Sequence, residues 1–296
     1  MSIPKISSYP MPAYVAAPNT RVTWQCNPRR AVFLIHDMQQ YFVRFFDVTQ
    51  SPVPQLQANL QAIKSACQTL GIPVVYSAQP PVQSAQERGL LQSWWGNGIT
   101  AAPEQAEIVT ELAPSAEDKV MTKWRYSAFA KTDLAQWMQA NGRDQLIIGG
   151  VYAHIGCMMT AADAFMRDIE VFYLADGVAD FSRERHEMAI EYVNQCCGVA
   201  LLTDTLLGQL NADDSRTSSG IPTTMDALRQ QVAALIEMTP DELDWDDSLL
   251  FAGLDSVRLM SLVDRWQQQG SRLGFAELAQ APTLRQWWDL LQRGHA

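Results

Sequence analysis

Three residues of the sequence have the type and position that chemistry at a protein site requires. Asp37 follows the apolar run at residues 31–35 after a single histidine, so we expect its carboxyl group at the end of a buried strand, as a candidate proton donor. Lys123, in the string KWRYSAF, supplies an ammonium group. Ser256 directly follows Asp255 and starts a helical pattern, which places its hydroxyl at a helix N-terminus. The ordinary alternatives are a helix cap or a buried structural carboxylate for Asp37 and a simple helix cap for Asp255.

The elements that must position Asp37 and Lys123 follow from short apolar runs that alternate with amphipathic stretches. The apolar runs predict buried strands at residues 31–35, 74–77, 146–148, 171–174 and 199–202. The amphipathic stretches predict helices at residues 55–70, 133–140, 156–168 and 182–195. Buried strands separated by helices predict an α/β fold, a parallel sheet with helices on both faces. In such sheets ligands bind beyond the carboxyl ends of the strands, which is where Asp37 is expected.

A second, smaller domain is predicted after residue 210. Residues 211–224 are small, polar and turn-forming, which is typical of a flexible linker. The remaining sequence has helical patterns at 225–237, 256–269 and 283–293, with short turns at 249–251 and 275–279. From residue 223 onward there are 11 acidic residues and 6 arginines, a net charge of −5. The sequence therefore predicts a first domain at 1–210, a linker at 211–224 and an acidic, all-α four-helix domain at 225–296.

Charge, cysteine content and hydropathy exclude several classes of protein. The 296 residues carry a net charge of −10, so binding to nucleic acid through a basic surface is not expected. The five cysteines form no CxxC pattern, which favours a reduced, cytoplasmic chain. No signal peptide is expected, and no apolar run reaches the roughly 18 residues of a membrane span. His36 and His154 lack the spacing of a metal site, so we expect structural or pocket-wall roles for them and no metal.

Several strings of residues resemble the isochorismatase family of α/β hydrolases. They are IHDMQ at 35–39, SAQP at 77–80, KWRYSAF at 123–129, GVYAHIG at 150–156 and DGVAD at 176–180. The resemblance covers residues 1–208 and implies hydrolysis of isochorismate to 2,3-dihydro-2,3-dihydroxybenzoate and pyruvate. With its second domain, the chain resembles the bifunctional isochorismatase/aryl carrier proteins of catechol-siderophore biosynthesis, of the enterobactin and vibriobactin type.

The resemblance also implies roles for individual residues. Asp37 would protonate the terminal vinyl carbon of the enolpyruvyl group, and Lys123 would orient Asp37 and stabilise its carboxylate. In the cysteine hydrolases of the same superfamily, the catalytic cysteine stands at the position of Gly156. Cys157 comes one residue later, which rotates its side chain by about 100° on a helix, so we expect it in the core. The substrate is expected to contact Gln79, Arg88, Tyr152 and the backbone of Gly156, inside an apolar wall of Phe42, Trp94 and Trp95.

The string GLDS at residues 253–256 resembles the phosphopantetheine attachment site of carrier proteins. It implies that 4'-phosphopantetheine is attached to Ser256 and carries an aryl acid, expected to be 2,3-dihydroxybenzoate. Asp255 is expected to cap the helix and to help hold the Mg²⁺ of the transferase, while hydrolysis needs no metal. Expected partners are a phosphopantetheinyl transferase, an aryl-AMP ligase and the condensation domain of a nonribosomal peptide synthetase. For the hydrolase domain the family expectation is a homodimer.

Two other functions stay open at the level of the sequence. The chain could be a carrier and docking protein with an inactive hydrolase domain, although it has Asp37, Lys123, Gln79 and Arg88. It could instead be an amidase that uses Cys157 as its nucleophile.

Overall fold

The chain forms two compact units, Met1–Leu210 and Asn211–Ala296. The computed structural model describes residues 3–15, 22–217, 221–236 and 238–294. Each unit is described by itself.

The first unit is built on a six-stranded parallel sheet. Its strands are β1 Ala31–His36, β2 Val74–Ala78, β3 Lys119–Thr122, β4 Gln145–Val151, β5 Glu170–Ala179 and β6 Val199–Leu201. They lie side by side in the order β3-β2-β1-β4-β5-β6, and every neighbouring pair is parallel. The predicted α/β fold with a parallel sheet is confirmed.

Helices cover both faces of this sheet. They are α1 Gln40–Val43, α2 Val53–Leu70, α3 Ala85–Arg88, α4 Leu90–Trp95, α5 Leu134–Ala140, α6 Met158–Phe165, α7 Arg183–Cys196 and α8 Thr203–Thr217. A π-helical turn, Ala153–Cys157, connects β4 to α6. Because side chains alternate along a strand, Phe33 and Ile35 pack with α2 and α8, whereas Val32 and Leu34 pack with α5, α6 and α7.

Two elements of the first unit differ from the prediction. Strand β3 was not predicted, because it lies at the edge of the sheet and only Met121 of its four residues is buried. Helix α8 runs through Thr217, so residues 211–217 are helical where the sequence predicted the start of a flexible linker. Buried Leu206 and Leu210 belong to the core of the first unit and hold the preceding part of α8. Residues 218–220 of the predicted linker lie outside the described residues.

The second unit is helical, as predicted. Its helices are α9 Met225–Leu235, α10 Ser256–Gln268, α11 Phe275–Gln280 and α12 Leu284–Gly294. Trp266 and Trp287 are buried at its centre with their rings edge to face, 6.2 Å apart between centroids. Both indole N–H groups have partners, because Trp266 donates to Gln231 Oε1 and Trp287 donates to the carbonyl of Leu278. In the described part of the chain, no helix has the length and apolar character needed to cross a membrane.

Candidate active site and carrier site

The candidate active site lies beyond the carboxyl ends of β1, β2, β3 and β4. Strands β1 and β4 are neighbours at the point where the strand order reverses, which is where open α/β sheets bind ligands. A cavity at this point is lined by most of the residues that the sequence singled out: Asp37, Phe42, Gln79, Arg88, Lys123, Tyr152 and Gly156. The fold therefore gathers residues that are far apart in the sequence.

Asp37 is held at the cavity by two neighbours. Its Oδ2 lies 2.9 Å from Lys123 Nζ, and its Oδ1 accepts a hydrogen bond of 3.0 Å from Ser77 Oγ. The side chains of Asp37 and Lys123 are only 7% and 3% exposed, so this ion pair is largely shielded from water. Asp37 also has a backbone φ of 48°, in the left-handed region that aspartate tolerates better than most residues. Ser77 belongs to the string SAQP at 77–80, but nothing in the sequence indicated that it contacts Asp37.

Lys123 is fixed by the edge strand that precedes it. Its backbone N–H donates to the carbonyl of Ala78 at the end of β2, and its ammonium group donates to the carbonyl of Arg125 at 2.7 Å. The lysine therefore has defined partners on both sides, one of which is the carboxylate of Asp37.

His36 and Gly156 fit against each other behind Asp37. The His36 ring is completely buried, and burial lowers the pKa of its imidazole. Its Nδ1 lies 2.9 Å from the carbonyl of Val151 and its Nε2 lies 3.3 Å from the carbonyl of Tyr126, so both ring nitrogens face backbone oxygens. A Cβ added at Gly156 would overlap with the His36 ring. His36 is thus a structural residue, as expected, and it keeps position 156 free of a side chain.

A glutamine not singled out from the sequence positions the predicted substrate contacts. Gln39 accepts from the backbone N–H of Gln79 at 2.8 Å and donates to its carbonyl at 2.9 Å, which fixes the backbone that carries the Gln79 side chain. Arg88 is 4% exposed and reaches toward Gln79 Oε1, with 3.5 Å between Nη1 and Oε1. Its Nε donates to the carbonyl of Gly96. Arg88 is therefore a buried, oriented cation rather than a surface charge.

The apolar wall differs from the prediction at one tryptophan. Phe42 and Trp95 line the cavity. Trp94 is 60% exposed and lines a neighbouring cavity instead, because the two side chains point in different directions from the short helix α4. Tyr152 contributes its ring to the wall, while its hydroxyl donates to the carbonyl of Phe42 at 2.6 Å.

Cys157 is buried in the core, as expected. It is 0% exposed and packs in the apolar layer on the far side of the sheet from α2. Burial raises the pKa of its thiol well above the usual value, so a thiolate is disfavoured there. In the described part of the chain, no cluster of three or more His, Cys, Asp or Glu side chains could hold a metal ion.

The carrier site is at the start of α10. Asp255 is the N-cap of this helix, and its side chain accepts a 2.8 Å hydrogen bond from the backbone N–H of Arg258. Ser256 is exposed and is the first residue of the helix. Gly253 has a backbone φ of 106° and open space where a Cβ would be. These residues fit the attachment of a phosphodiester at Ser256, next to the helix N-terminus.

Exposed apolar side chains lie close to this serine in the sequence. Phe251 is 97% exposed, Leu250 58% and Met260 53%.

Fold and site together define an α/β hydrolase with a buried acid at a strand end, joined to a small helical carrier-type unit. Residues 31–205 match the family described as "Isochorismatase domain", and residues 226–291 match "Phosphopantetheine attachment site". The chain is 48% identical to "Isochorismatase" of Bacillus subtilis (strain 168), with 98% of this chain and 96% of that protein covered. It is 45% identical to "Enterobactin synthase component B" of Escherichia coli (strain K12), with 99% of each chain covered. The chain therefore belongs to the isochorismatase family.

Solved structures show the same fold for the first unit. A cysteine hydrolase from Pseudomonas syringae pv. phaseolicola 1448A superposes with a TM-score of 0.58 at 20% identity, covering 65% of this chain and 97% of that one. At this identity the likeness shows the fold alone.

Proposed function

We propose that the first unit hydrolyses isochorismate to 2,3-dihydro-2,3-dihydroxybenzoate and pyruvate, and that the second unit carries 2,3-dihydroxybenzoate for siderophore assembly by a nonribosomal peptide synthetase. The observation that carries the first part is the Asp37 carboxyl group, which faces a cavity and is held between Lys123 and Ser77. Family membership and the relatives' printed names support the same activity.

The reaction needs Asp37 in its acid form, so the Asp37–Lys123 pair first takes up one proton from solvent. Asp37 then gives this proton to the terminal vinyl carbon of the enolpyruvyl group, which becomes a methyl group. The adjacent carbon is left as an oxocarbenium ion, and Lys123 stabilises the new carboxylate of Asp37 from 2.9 Å. Water adds to the cation and loses a proton to Asp37, which restores the acid. The hemiketal then collapses as the bond from that carbon to the oxygen on the cyclohexadiene ring breaks. Its hydroxyl becomes the ketone of pyruvate, and the hydroxyl proton passes to the oxygen that stays on the ring. A well-placed acid of this kind contributes about 10²–10⁴ in rate.

The substrate has two carboxylates, which need cationic or amide donors. Arg88 is the buried guanidinium at the cavity, and the planar fork of arginine suits a carboxylate. Gln79 lies beside it with an amide that can donate to the same group. We assign the two residues to substrate binding, with the rings of Phe42, Trp95 and Tyr152 forming the apolar wall.

The two alternatives are not favoured. An inactive hydrolase domain would have no need to keep a buried Asp37–Lys123 pair open to a cavity, since burial of two charges is costly. A cysteine-dependent amidase would need an accessible thiolate, whereas Cys157 is fully buried and the pKa of its thiol is raised.

In the second unit, Ser256 would hold 4'-phosphopantetheine. When attached, that arm supplies a thiol that carries an acyl group as a thioester. Ser256 offers the hydroxyl, and Asp255 orders the helix start and stands next to it to bind the Mg²⁺ of the transferase. Met260 belongs to the exposed apolar surface through which we expect the condensation domain to recognise the carrier. A phosphopantetheinyl transferase and an aryl-AMP ligase are the other partners.

The hydrolase unit is further proposed to act as a homodimer in the cytoplasm. The dimer rests on the family resemblance and is tested by the mass of the full chain in solution. The cytoplasmic location is supported by five cysteines without a CxxC pattern, which suits a reducing compartment.

The function is tested by incubating the full chain with isochorismate and following pyruvate through a coupled dehydrogenase. We expect one pyruvate and one 2,3-dihydro-2,3-dihydroxybenzoate for each isochorismate consumed. Nicotinamide serves as the comparison substrate, with ammonia as the readout. Release of ammonia without any release of pyruvate would replace the proposed activity by that of an amidase.

A further inference from the structure

A second cavity adjoins the candidate active site. The two cavities share four wall residues: Trp95, Tyr126, Ile155 and Phe181. The second cavity also has His154 and Arg185 on its wall. Arg185 lies on α7 and is exposed to solvent, with its guanidinium carbon 6.0 Å from the centre of the Phe181 ring. Arg185 is therefore a cation beside the Phe181 ring, which also lines the cavity where the substrate is expected to bind.

Arg185 is held in place by a hydrogen-bonded chain that ends in the core. Its Nη1 lies 2.8 Å from His154 Nε2, and His154 Nδ1 lies 2.6 Å from Asp180 Oδ1. A guanidinium can only donate, so His154 Nε2 is the acceptor and Nδ1–H donates to Asp180. Asp180 is 0% exposed and also accepts from the backbone N–H groups of His154 and Phe181. An exposed arginine with such an anchor loses less freedom on binding a ligand than an unsupported one.

No carboxylate pairs with Arg185 among the described residues, although its helix has acidic neighbours. Arg183, two residues earlier, forms an ion pair with Glu187 at 2.7 Å. The described side-chain contacts of Arg185 are with the imidazole of His154 and the ring of Phe181 instead, so no described carboxylate touches its guanidinium directly. The chain as a whole has a net charge of −10, so it repels a dianion at a distance.

We propose that Arg185 captures one carboxylate of the dianionic substrate in the second cavity, before the substrate enters the active-site cavity. This proposal rests on the proposed hydrolysis of isochorismate. Arg88 then binds a carboxylate inside the active-site cavity, while Arg185 acts at the outer position and takes no part in proton transfer. His154 and Asp180 are positioning residues, because they orient the guanidinium and do not touch the substrate.

The test compares Arg185→Gln with Arg183→Gln in the full chain. Both variants remove one positive charge from the same helix, so the change in net charge is identical. We expect Arg185→Gln to raise the KM for isochorismate about two- to five-fold, the range of an exposed charge pair, with kcat unchanged. Arg183→Gln should leave both constants at the wild-type values. Arg185→Lys, which keeps the charge, should recover part of the lost affinity.

Salt provides a second readout that a merely structural role would not change. The difference in kcat/KM between the two glutamine variants should be largest at low ionic strength and shrink near 0.5 M salt, where charges are screened over only a few ångströms. Equal KM values for the two variants at all salt concentrations would overturn the capture role, as would a fall in kcat at constant KM. If the wild-type chain released no pyruvate at all, the proposed function itself would fail and the capture role with it.

Discussion

The ion pair between Asp37 and Lys123 contributes both to the stability of the first unit and to its activity, and mutations can separate these two contributions. In Asp37→Asn the side chain keeps its shape, but it can no longer donate the proton and no longer balances the charge of Lys123. Lys123 is 2% exposed and its described partners are then a carbonyl and an amide, so a buried cation is left without a counter-charge. Asp37→Asn should therefore lose both pyruvate release and stability.

The size of both effects follows from the burial of the pair. Removing one partner of a buried ion pair costs about 3–5 kcal/mol. For a unit of this length each kcal/mol lowers the melting temperature by about 2–4 °C, so the expected loss is about 6–20 °C. Replacing both partners by uncharged residues of similar size is often close to neutral, so Asp37→Asn/Lys123→Met should recover most of the stability. Neither variant regains the acid, so both should stay about 10²–10⁴ below the wild-type rate.

Thermal unfolding by circular dichroism and the coupled pyruvate assay measure the two effects on the same samples. Lys123→Met completes the double-mutant cycle and should itself be destabilised, because it leaves Asp37 buried without its cation. Pyruvate release by Asp37→Asn within tenfold of wild type would refute the role of Asp37 as the acid. An unchanged melting temperature in both single variants would refute the argument from buried charge.

Three further predictions concern other parts of the molecule. Ser256→Ala should block addition of the phosphopantetheine arm, measured by mass spectrometry of the intact protein, while pyruvate release stays at the wild-type rate. Addition of the arm to this variant would refute Ser256 as the attachment site. Cys157→Ala should keep most of the isochorismatase activity, and a loss of activity to background in the folded variant would restore the thiol mechanism. Gly156→Ala should destabilise the first unit, because the added Cβ overlaps with the ring of His36. Burial lowers the pKa of both His36 and His186. The unfolded chain therefore binds more protons than the folded chain below about pH 6.5, and stability should fall as the pH drops, by up to about 1.4 kcal/mol per pH unit for each histidine. Urea unfolding between pH 7.5 and 5 measures this slope, which His186→Gln should reduce; a flat profile would contradict it.

The sheet could be predicted from the sequence wherever strands are buried on both faces. Strand β1 is buried at all six positions, so its apolar run is unambiguous. Strand β3 carries Lys119, Val120, Met121 and Thr122, and only one of these side chains is buried. An edge strand has a partner on one side only and needs no continuous apolar run, which is why the sequence pattern missed it.

Sequence patterns show the type of a residue but not its contacts in space, which explains which site residues the sequence identified. Asp37 and Lys123 were expected from their chemical type and from the strings IHDMQ and KWRYSAF, whereas Arg88 was expected from its place after the second strand and from the family resemblance. Ser77 and Gln39 act through hydrogen bonds to residues about 40 positions away, and only the pairing of β1 with β2 brings them there. Trp94 and Trp95 are neighbours in sequence, and which one faces the cavity depends on the orientation of α4, which the sequence does not specify.

The geometry around Asp37 also explains why proton transfer, rather than attack by a thiol, suits this site. The family resemblance implies that the reacting thiol of the superfamily's cysteine hydrolases stands at the position of Gly156, where this chain departs from them. Here the buried ring of His36 fills the space that a side chain at 156 would need, and it is fixed there by its hydrogen bond to Val151. Cys157 is turned into the core, so the acid faces its cavity without a neighbouring nucleophile. An enol ether needs only a proton and water for cleavage, whereas an amide gains from a covalent intermediate. His36 and Gly156, which are 120 positions apart in the sequence, therefore favour proton transfer over attack by a thiol at this site.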